Sequence, residues 1–235
     1  MLPQKKDRND APTRRIEAAL PEAQERKARV LTQGVPAMVR SIADAVVIKN
    51  KNLFLLTQPD GLVPLQGSHG LGLYYHDCRF LNGYEIALCG TAPTPLSADA
   101  SRGYMALLQL TNQEIRGANG QLIRKEEVGI KWDRVIDPAE RALHDAILFQ
   151  NFTPEPIEFS ISLRFSAAFE DIFAVRELLP EYPGTLFPPA WVDGVLHFVY
   201  EGSDRYFRGL SIHFSQSPEK REEAAAHFTI ALASR

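Results

Sequence analysis

The sequence predicts an all-β fold, an antiparallel β-sandwich of about ten or more strands with a short N-terminal tail or helix. From Ser41 onward, apolar residues recur with a period of two, the period of a strand with one buried and one wet face. These segments are short and closely spaced, and no helical stretches lie between them. Both observations are typical of a sandwich rather than of a mixed α/β fold.

The clearest strand is IEFSISLRFS, residues 157–166. Its odd positions carry isoleucine, phenylalanine and leucine, and its even positions carry serine, glutamate and arginine. This alternation indicates an antiparallel sheet with one face on the core. YEIALCG alternates in the same way, and VVIKNKNLFLLT predicts a hairpin that turns at residues 49–52. The partly charged LIRKEEVGIKW, residues 122–132, favours an edge or solvent-facing strand.

The chain divides into an N-terminal tail, residues 1–40, and a β-sandwich domain, residues 41–235. The tail has nine Lys/Arg against five Asp/Glu, and the remainder has 17 against 24. We expect the tail to be helical or disordered, because Pro21 interrupts a weak apolar face. Its basic charge has two interpretations. The simpler one is a solvated tail, and the more specific one is an arm that docks on a partner.

Composition and targeting signals argue against several classes of protein. The net charge of −3 argues against a nucleic-acid partner. No apolar run approaches the roughly 20 residues of a membrane span, and the N-terminus lacks the apolar core of a secretory signal. Two cysteines in 235 residues indicate reduced thiols and a cytoplasmic location.

The stretch HGLGLYYHDCRFLNGYEIALCG, residues 69–90, concentrates reactive side chains among apolar and aromatic ones. The spacing of His76, Asp77 and Cys78 matches no usual zinc-ligand pattern. A Cys–His nucleophile needs contact and an orienting group, and thiols in strand-like aromatic surroundings behave as small hydrophobes. We therefore predict no metal, no cofactor and no catalytic residue in this chain.

Two structural hypotheses remain for the charged residues. Asp77 and Arg79 share a strand face if the segment is extended, where they pair with each other or with neighbours and fix a sheet corner or dock a partner domain. Glu170 and Asp171 are adjacent and point to opposite faces, so they are predicted to be solvated rather than a glycosidase pair.

Aromatic residues in a proline-rich segment offer a sugar-binding alternative. The segment LLPEYPGTLFPPAWVDG, residues 178–194, predicts a long surface loop. Its Tyr182 and Trp191 are the best candidates for stacking on sugar rings, because loops carry function more often than strands do.

Three segments, in order, resemble a known family. They are GLGLYYHDCRFLNGYEIALCG, LFQNFTPEPIEFSISLRFSAAFEDIFAVRE and DGVLHFVYEGSDRYFRGLSIHFS. They resemble the N-terminal domain of bacterial glycogen debranching enzymes of the amylo-alpha-1,6-glucosidase type, and the resemblance covers about residues 44–233. Cys78 replaces the usual threonine of the first segment, and Ala168 stands where the second has an aspartate before the phenylalanine.

The resemblance implies a non-catalytic sandwich that precedes a helical toroid carrying the glycosidase carboxylates. Asp77, Arg79, Asp171 and Arg176 match charged positions of the family pattern, and they are expected to be structural or domain-docking residues. The expected partner is the catalytic toroid domain of the same parent protein, so the parent rather than this chain is expected to be the enzyme. The alternative is a stand-alone carbohydrate-binding or protein-interaction module, with α-glucan binding and homo-oligomerisation left open.

Overall fold

A computed structural model describes residues 29–30, 45–175 and 184–235. The chain forms two compact units, one of residues 1–34 with 182–217 and a larger one of residues 35–181 with 218–235. Nearly every regular element is an antiparallel strand, which confirms the all-β fold. The predicted N-terminal helix lies outside the described residues. Within the predicted tail, Arg29–Val30 forms a short strand, β1.

The larger unit contains most of the strands. In chain order they are β2 (Val46–Asn50), β3 (Leu53–Thr57), β4 (Gly72–Tyr75), β5 (Cys78–Leu88), β6 (Thr94–Asp99), β7 (Met105–Thr111), β8 (Ile115–Arg116), β9 (Leu122–Ile123), β10 (Val128–Asp137), β11 (Ala142–Asn151), β12 (Ile157–Asp171), β17 (Lys220–Glu222) and β18 (Ala225–Leu232). The smaller unit contains β1 with β13 (Thr185–Leu186), β14 (Ala190–Val192), β15 (Val195–Glu201) and β16 (Phe207–Ile212).

One face of the sandwich is a seven-stranded sheet with the order β17-β18-β12-β5-β4-β3-β2. The predicted hairpin at residues 49–52 joins β2 to β3. The predicted strand at residues 157–166 is the first part of the 15-residue β12, and its odd positions are buried through Phe165. Because β12 pairs with β5 on one side and with β18 on the other, it is a central strand of this sheet.

The other face is a four-stranded sheet with the order β11-β10-β7-β6. Of the two alternatives for residues 122–132, the edge strand is wrong, whereas one face of β10 is solvent-facing, with Lys131 exposed. That segment divides into β9, a turn at Lys125–Glu126 and β10, and β10 lies between β7 and β11. The charged residues that suggested an edge lie largely in the turn, which solvates them without exposing a strand.

The core lies between these two sheets. Trp132 from the four-stranded sheet and Phe159 from the seven-stranded sheet are both 0% exposed. Tyr84 contacts Trp132 edge to face with ring centroids 5.4 Å apart, and Phe149 contacts Phe159 similarly at 5.7 Å. Facing aromatic contacts of this kind join the two sheets and define the sandwich.

The smaller unit is a five-stranded sheet in which β15 pairs with β13 and β14 along one side and with β16 along the other. Within the proline-rich segment, β13 and β14 replace part of the predicted loop. Both short strands pair with β15, β13 at residues 200–201 and β14 at residues 195–197.

A single-turn helix, α1 (Ile172–Val175), follows β12 directly, although helix was expected only near the N-terminus. The Asp171 side chain explains it, because its carboxylate accepts a hydrogen bond from the Phe173 N–H at 2.8 Å and caps the turn. Within the described residues no helix has the length and apolar character that crossing a bilayer requires.

Candidate functional site

The predicted corner begins at a two-residue turn between β4 and β5. His76 and Asp77 form the turn with φ angles of 45° and 61°, and Tyr75 pairs with Cys78 across it. Two positive φ angles in a two-residue hairpin are typical of a type I′ turn, in which aspartate is tolerated. Asp77 is exposed, and its backbone carbonyl accepts a hydrogen bond from the Ile172 N–H at 2.7 Å. Its position therefore reflects turn geometry, and it does not pair with Arg79.

Arg79 is buried, with 5% exposure, because a β-bulge redirects β5. The pairing of β5 with β12 slips between Ser166 and Ala167, which leaves Asn82 as an extra residue. Counting by twos from buried Tyr84 would place Arg79 on the opposite face, but one extra residue reverses the alternation. The guanidinium thus points inward, where a charge needs partners.

Glu170 supplies the charge partner, because β12 carries its own irregularity. The register shifts again between Ala167 and Glu170, where Phe169 adopts φ 56° and packs against Phe80. This shift sets Glu170 directly opposite Arg79, and the carboxylate accepts from both Nε and Nη2 of the guanidinium. The expectation that Glu170 is solvated is therefore wrong, since its side chain is 23% exposed and bound to a buried arginine.

Arg79 also holds the loop between β3 and β4, residues 58–71, which we call the pinned loop. Its Nη1 donates to the carbonyl oxygens of His69 and Leu71, the latter at 3.3 Å. Tyr74 Oη donates to the Gly70 carbonyl at 2.8 Å, and Glu85 accepts from the Leu65 N–H at 3.0 Å. The corner therefore fixes the path of a long loop over the sheet.

His69 is the titratable group inside this corner. Its Nε2 lies 2.8 Å from the Pro64 carbonyl oxygen. Burial lowers the pKa of His69, and the nearby Arg79 charge lowers it further, while the bond to Pro64 opposes the shift. The ring is thus held in its neutral form beside a cation.

Arg134 forms a second buried site that the sequence analysis missed. It is 1% exposed, and its guanidinium lies 3.8 Å from the Trp132 ring centroid and 4.9 Å from that of Tyr84. Asp145 on the neighbouring strand pairs with it at 3.0 Å, and Arg134 Nη1 donates to the Gly61 carbonyl at 2.5 Å. The sequence WDRVI does carry a signal for this site. In an alternating strand, Arg134 lies two residues from Trp132 and therefore on the same face, so a buried tryptophan predicts a buried arginine.

The remaining predicted residues do not assemble into one site. Asp171 lies at the corner, where it caps α1, whereas Arg176 and Tyr182 fall outside the described residues. Trp191 is half-buried in the smaller unit and stacks on Phe214 with centroids 5.7 Å apart. The Phe214 ring therefore covers part of the Trp191 ring, and that part is not open to a sugar.

One group of possible metal ligands was not anticipated. The ligand atoms of Asp137, Glu140 and His144 lie within 4.8 Å of one another at the β10–β11 turn. Asp137 already accepts from the Ala139 N–H at 2.8 Å, and His144 lies 3.2 Å from Glu140. The three residues therefore lie close together because Asp137 caps the turn and His144 pairs with Glu140 on the surface.

The geometry defines an antiparallel β-sandwich domain in which buried arginines fix loops and strands. The Glu170 and Asp145 carboxylates bind Arg79 and Arg134, so the site offers positional rigidity rather than a free acid–base pair.

The comparison with protein families identifies the class further. The family described as the N-terminal domain of (some) glycogen debranching enzymes matches residues 48–235, and the chain belongs to this family. No curated protein matches the chain significantly.

Proposed function

We propose that this chain is the non-catalytic N-terminal β-sandwich of a glycogen-debranching glycoside hydrolase of the amylo-alpha-1,6-glucosidase type, and that it packs on and supports a helical-toroid catalytic domain. The match to an N-terminal domain family over residues 48–235 carries the proposal. We also propose a cytoplasmic location, which the low cysteine content, two in 235 residues, supports.

The chemistry of the described carboxylates supports a non-catalytic role. Glycoside hydrolysis requires two carboxyl groups that face one bond across a fixed gap, one of them free to donate a proton. At the corner and in the core, Glu170 and Asp145 each bind a buried arginine. Both carboxylates are thus occupied by guanidinium donors, so neither is available to face a glycosidic bond.

The test compares the 235-residue chain with the longer protein that the proposal predicts, in which a catalytic domain accompanies the sandwich. The substrate is a glycogen limit dextrin, and released glucose measures cleavage of α-1,6 branches. We expect glucose release from the longer protein and none from the 235-residue chain. Reproducible turnover by the chain alone would contradict the non-catalytic role, and an inactive longer protein would contradict the enzyme assignment.

A carbohydrate-binding module is the second candidate, because Trp191 lies half-buried in an aromatic pair and Tyr206 of the same unit is 71% exposed. Affinity electrophoresis through glycogen-containing gels tests it. Retardation of the chain that Trp191→Ala abolishes would favour sugar binding, and unchanged mobility in both would exclude it at the glycogen concentration used.

A further inference from the structure

The outer face of the four-stranded sheet carries a hollow of about 500 Å³. Three large apolar side chains line it and remain unusually exposed, Leu96 at 61%, Leu148 at 53% and Phe152 at 45%. We call this feature the apolar hollow. Clustered exposed apolar residues of this kind mark interaction surfaces, whereas single ones are ordinary.

A glycine forms the floor of the apolar hollow. A Cβ at Gly129 would lie 2.7 Å from the Phe152 ring. The ring therefore packs directly over Gly129, and any larger residue at position 129 would push the ring away. Around this centre the rim is polar, with Gln109, Gln150 and a Lys131–Asp133 ion pair of 2.8 Å. An apolar centre inside a polar rim is the usual anatomy of a protein–protein interface.

The apolar hollow also borders a sheet edge. Leu148 belongs to β11, a ten-residue strand without proline that pairs only with β10 among the described strands. Proteins commonly protect such edges with proline, bulges, charges or a covering segment. Residues 146–151, the part of β11 that borders the apolar hollow, carry no proline, no charged side chain and no register shift in the described β10–β11 pairing, so a covering segment is the protection that this part lacks.

The C-terminal end of the chain lies next to the apolar hollow. The Arg235 N–H donates to the Thr153 carbonyl at 3.2 Å, and the Asn151 side chain donates to the Ala233 carbonyl at 2.9 Å. Both contacts flank Phe152. Under the proposed function the catalytic domain follows this chain, so its first residues leave the sandwich beside the apolar hollow. A covalent connection that starts near this surface raises the effective concentration of the connected domain there.

We propose that the apolar hollow is the docking surface for the catalytic domain, which covers Leu96, Leu148 and Phe152 with its own apolar side chains. This inference rests on the proposed function, because that function supplies the occupant. It assigns docking to the outer face of the four-stranded sheet, and not to the Arg79 corner that the sequence had suggested.

Thiol footprinting tests the docking surface. Leu148→Cys is made in the 235-residue chain and in the longer enzyme, and maleimide labelling at position 148 is followed by peptide mass spectrometry. We expect labelling at least tenfold slower in the longer enzyme. Tyr206→Cys, at a 71% exposed position in the smaller unit, is the matched control and should label at equal rates in both proteins.

Equal labelling at position 148 in both proteins would overturn the proposal. Slow labelling in the 235-residue chain that is relieved by dilution would also overturn it, in favour of a second copy. Hydrogen exchange of residues 142–151 in the unsubstituted proteins gives the same comparison without a substitution. Glucose release in the same preparations separates the two claims. If the longer protein is active but position 148 is not protected from labelling, the proposed function stands and the docking surface is wrong. If position 148 is protected but the longer protein is inactive, the surface is covered and the glycosidase function is wrong.

Discussion

Two arginine–glutamate pairs join the same two strands, β5 and β12, but differ in burial. The Arg79 side chain is 6% exposed, whereas that of Arg164, which pairs with Glu85, is 55% exposed. A buried ion pair is costly to break because the remaining charge stays without compensation, whereas an exposed pair contributes little. The two pairs therefore form a matched comparison within one sheet.

We expect Arg79→Met to lower the free energy of unfolding by about 3 kcal/mol, since it leaves Glu170 and the His69 and Leu71 carbonyl oxygens without their donor. Arg164→Met should cost less than about 1 kcal/mol. Urea denaturation at neutral pH measures both. Equal losses in the two variants would show that the corner is not held by the buried pair.

The lowered pKa of His69 makes stability depend on pH. The unfolded ring has a pKa near 6.5, and the folded ring has a lower one, mainly through burial. Below about pH 6.5 the unfolded chain therefore binds the proton more readily, and this contribution to stability falls until the pH passes the folded pKa. We expect His69→Gln to flatten the decline in melting temperature between pH 7 and 5. Parallel melting curves for the two proteins would contradict this.

At the scale of elements, two glycines with positive φ, one in β4 and one in the pinned loop, differ in how closely other atoms approach them. Gly72 has φ 141°, and a Cβ there would lie 2.2 Å from the Leu81 carbonyl oxygen. Gly67 also has a positive φ, 83°, but a Cβ there meets nothing within 4 Å. We expect Gly67→Ala to cost about 1–2 kcal/mol from backbone strain alone, and Gly72→Ala to cost clearly more. Thermal unfolding followed by circular dichroism ranks them, and equal costs would remove the role of the close approach.

The turn between β4 and β5 contains a residue, Asp77, that is not the most stable choice for its backbone conformation. Asp77 has φ 61°, a conformation in which glycine carries no steric cost. Because glycine is strongly preferred at the second position of a type I′ turn, we expect Asp77→Gly to raise stability by about 0.5 kcal/mol. The chemical-denaturation midpoint measures the change. A lower midpoint would indicate that the Asp77 carboxylate has a structural role beyond the turn.

Strand identity was predictable where alternation is regular, and side-chain direction was not predictable where bulges intervene. Residues 157–165 of β12 alternate without interruption, and the sequence placed both faces correctly. The extra residue at Asn82 and the shift before Glu170 carry no distinctive residue type, so the Arg79–Glu170 pair could not be derived by counting. Long-range pairing alone brings these two residues together.

At the scale of the molecule, the chain places one tryptophan in each compact unit. Trp132 is fully buried in the larger unit, and Trp191 is half-buried in the smaller one. Among the residues that the structure describes, those of the smaller unit include far fewer large buried apolar side chains, among them Leu196, Phe198 and Tyr200. Because buried apolar area is the main source of stability, the smaller unit should be the weaker of the two.

We therefore expect 5-fluorotryptophan incorporated at both positions to give two ¹⁹F resonances that respond differently to urea. The Trp191 signal should reach its unfolded shift at a lower urea concentration than the Trp132 signal. Trp191→Phe assigns the resonances. Coincident transitions would mean that the chain unfolds as one cooperative body.

At this scale, the division into two compact units has no counterpart in the sequence pattern. We expected one sandwich from residue 41 onward, and composition marks no boundary near residue 182 or residue 217, the two ends of the second segment of the smaller unit. Both units consist of half-buried strands with the same period of two. A pattern that reports only the burial of one face carries no information about which strands share a sheet.

The pairing of β12 with β18 has a consequence for synthesis. Residues 182–217 lie between these two strands, so a ribosome that has released β12 must make this second segment of the smaller unit before the partner strand exists. At the usual rate of translation this interval lasts roughly several seconds. Throughout it, residues 157–164 of β12 have unpaired backbone groups on one side, while neighbouring ribosomes on the same messenger RNA hold nascent chains with the same open strand.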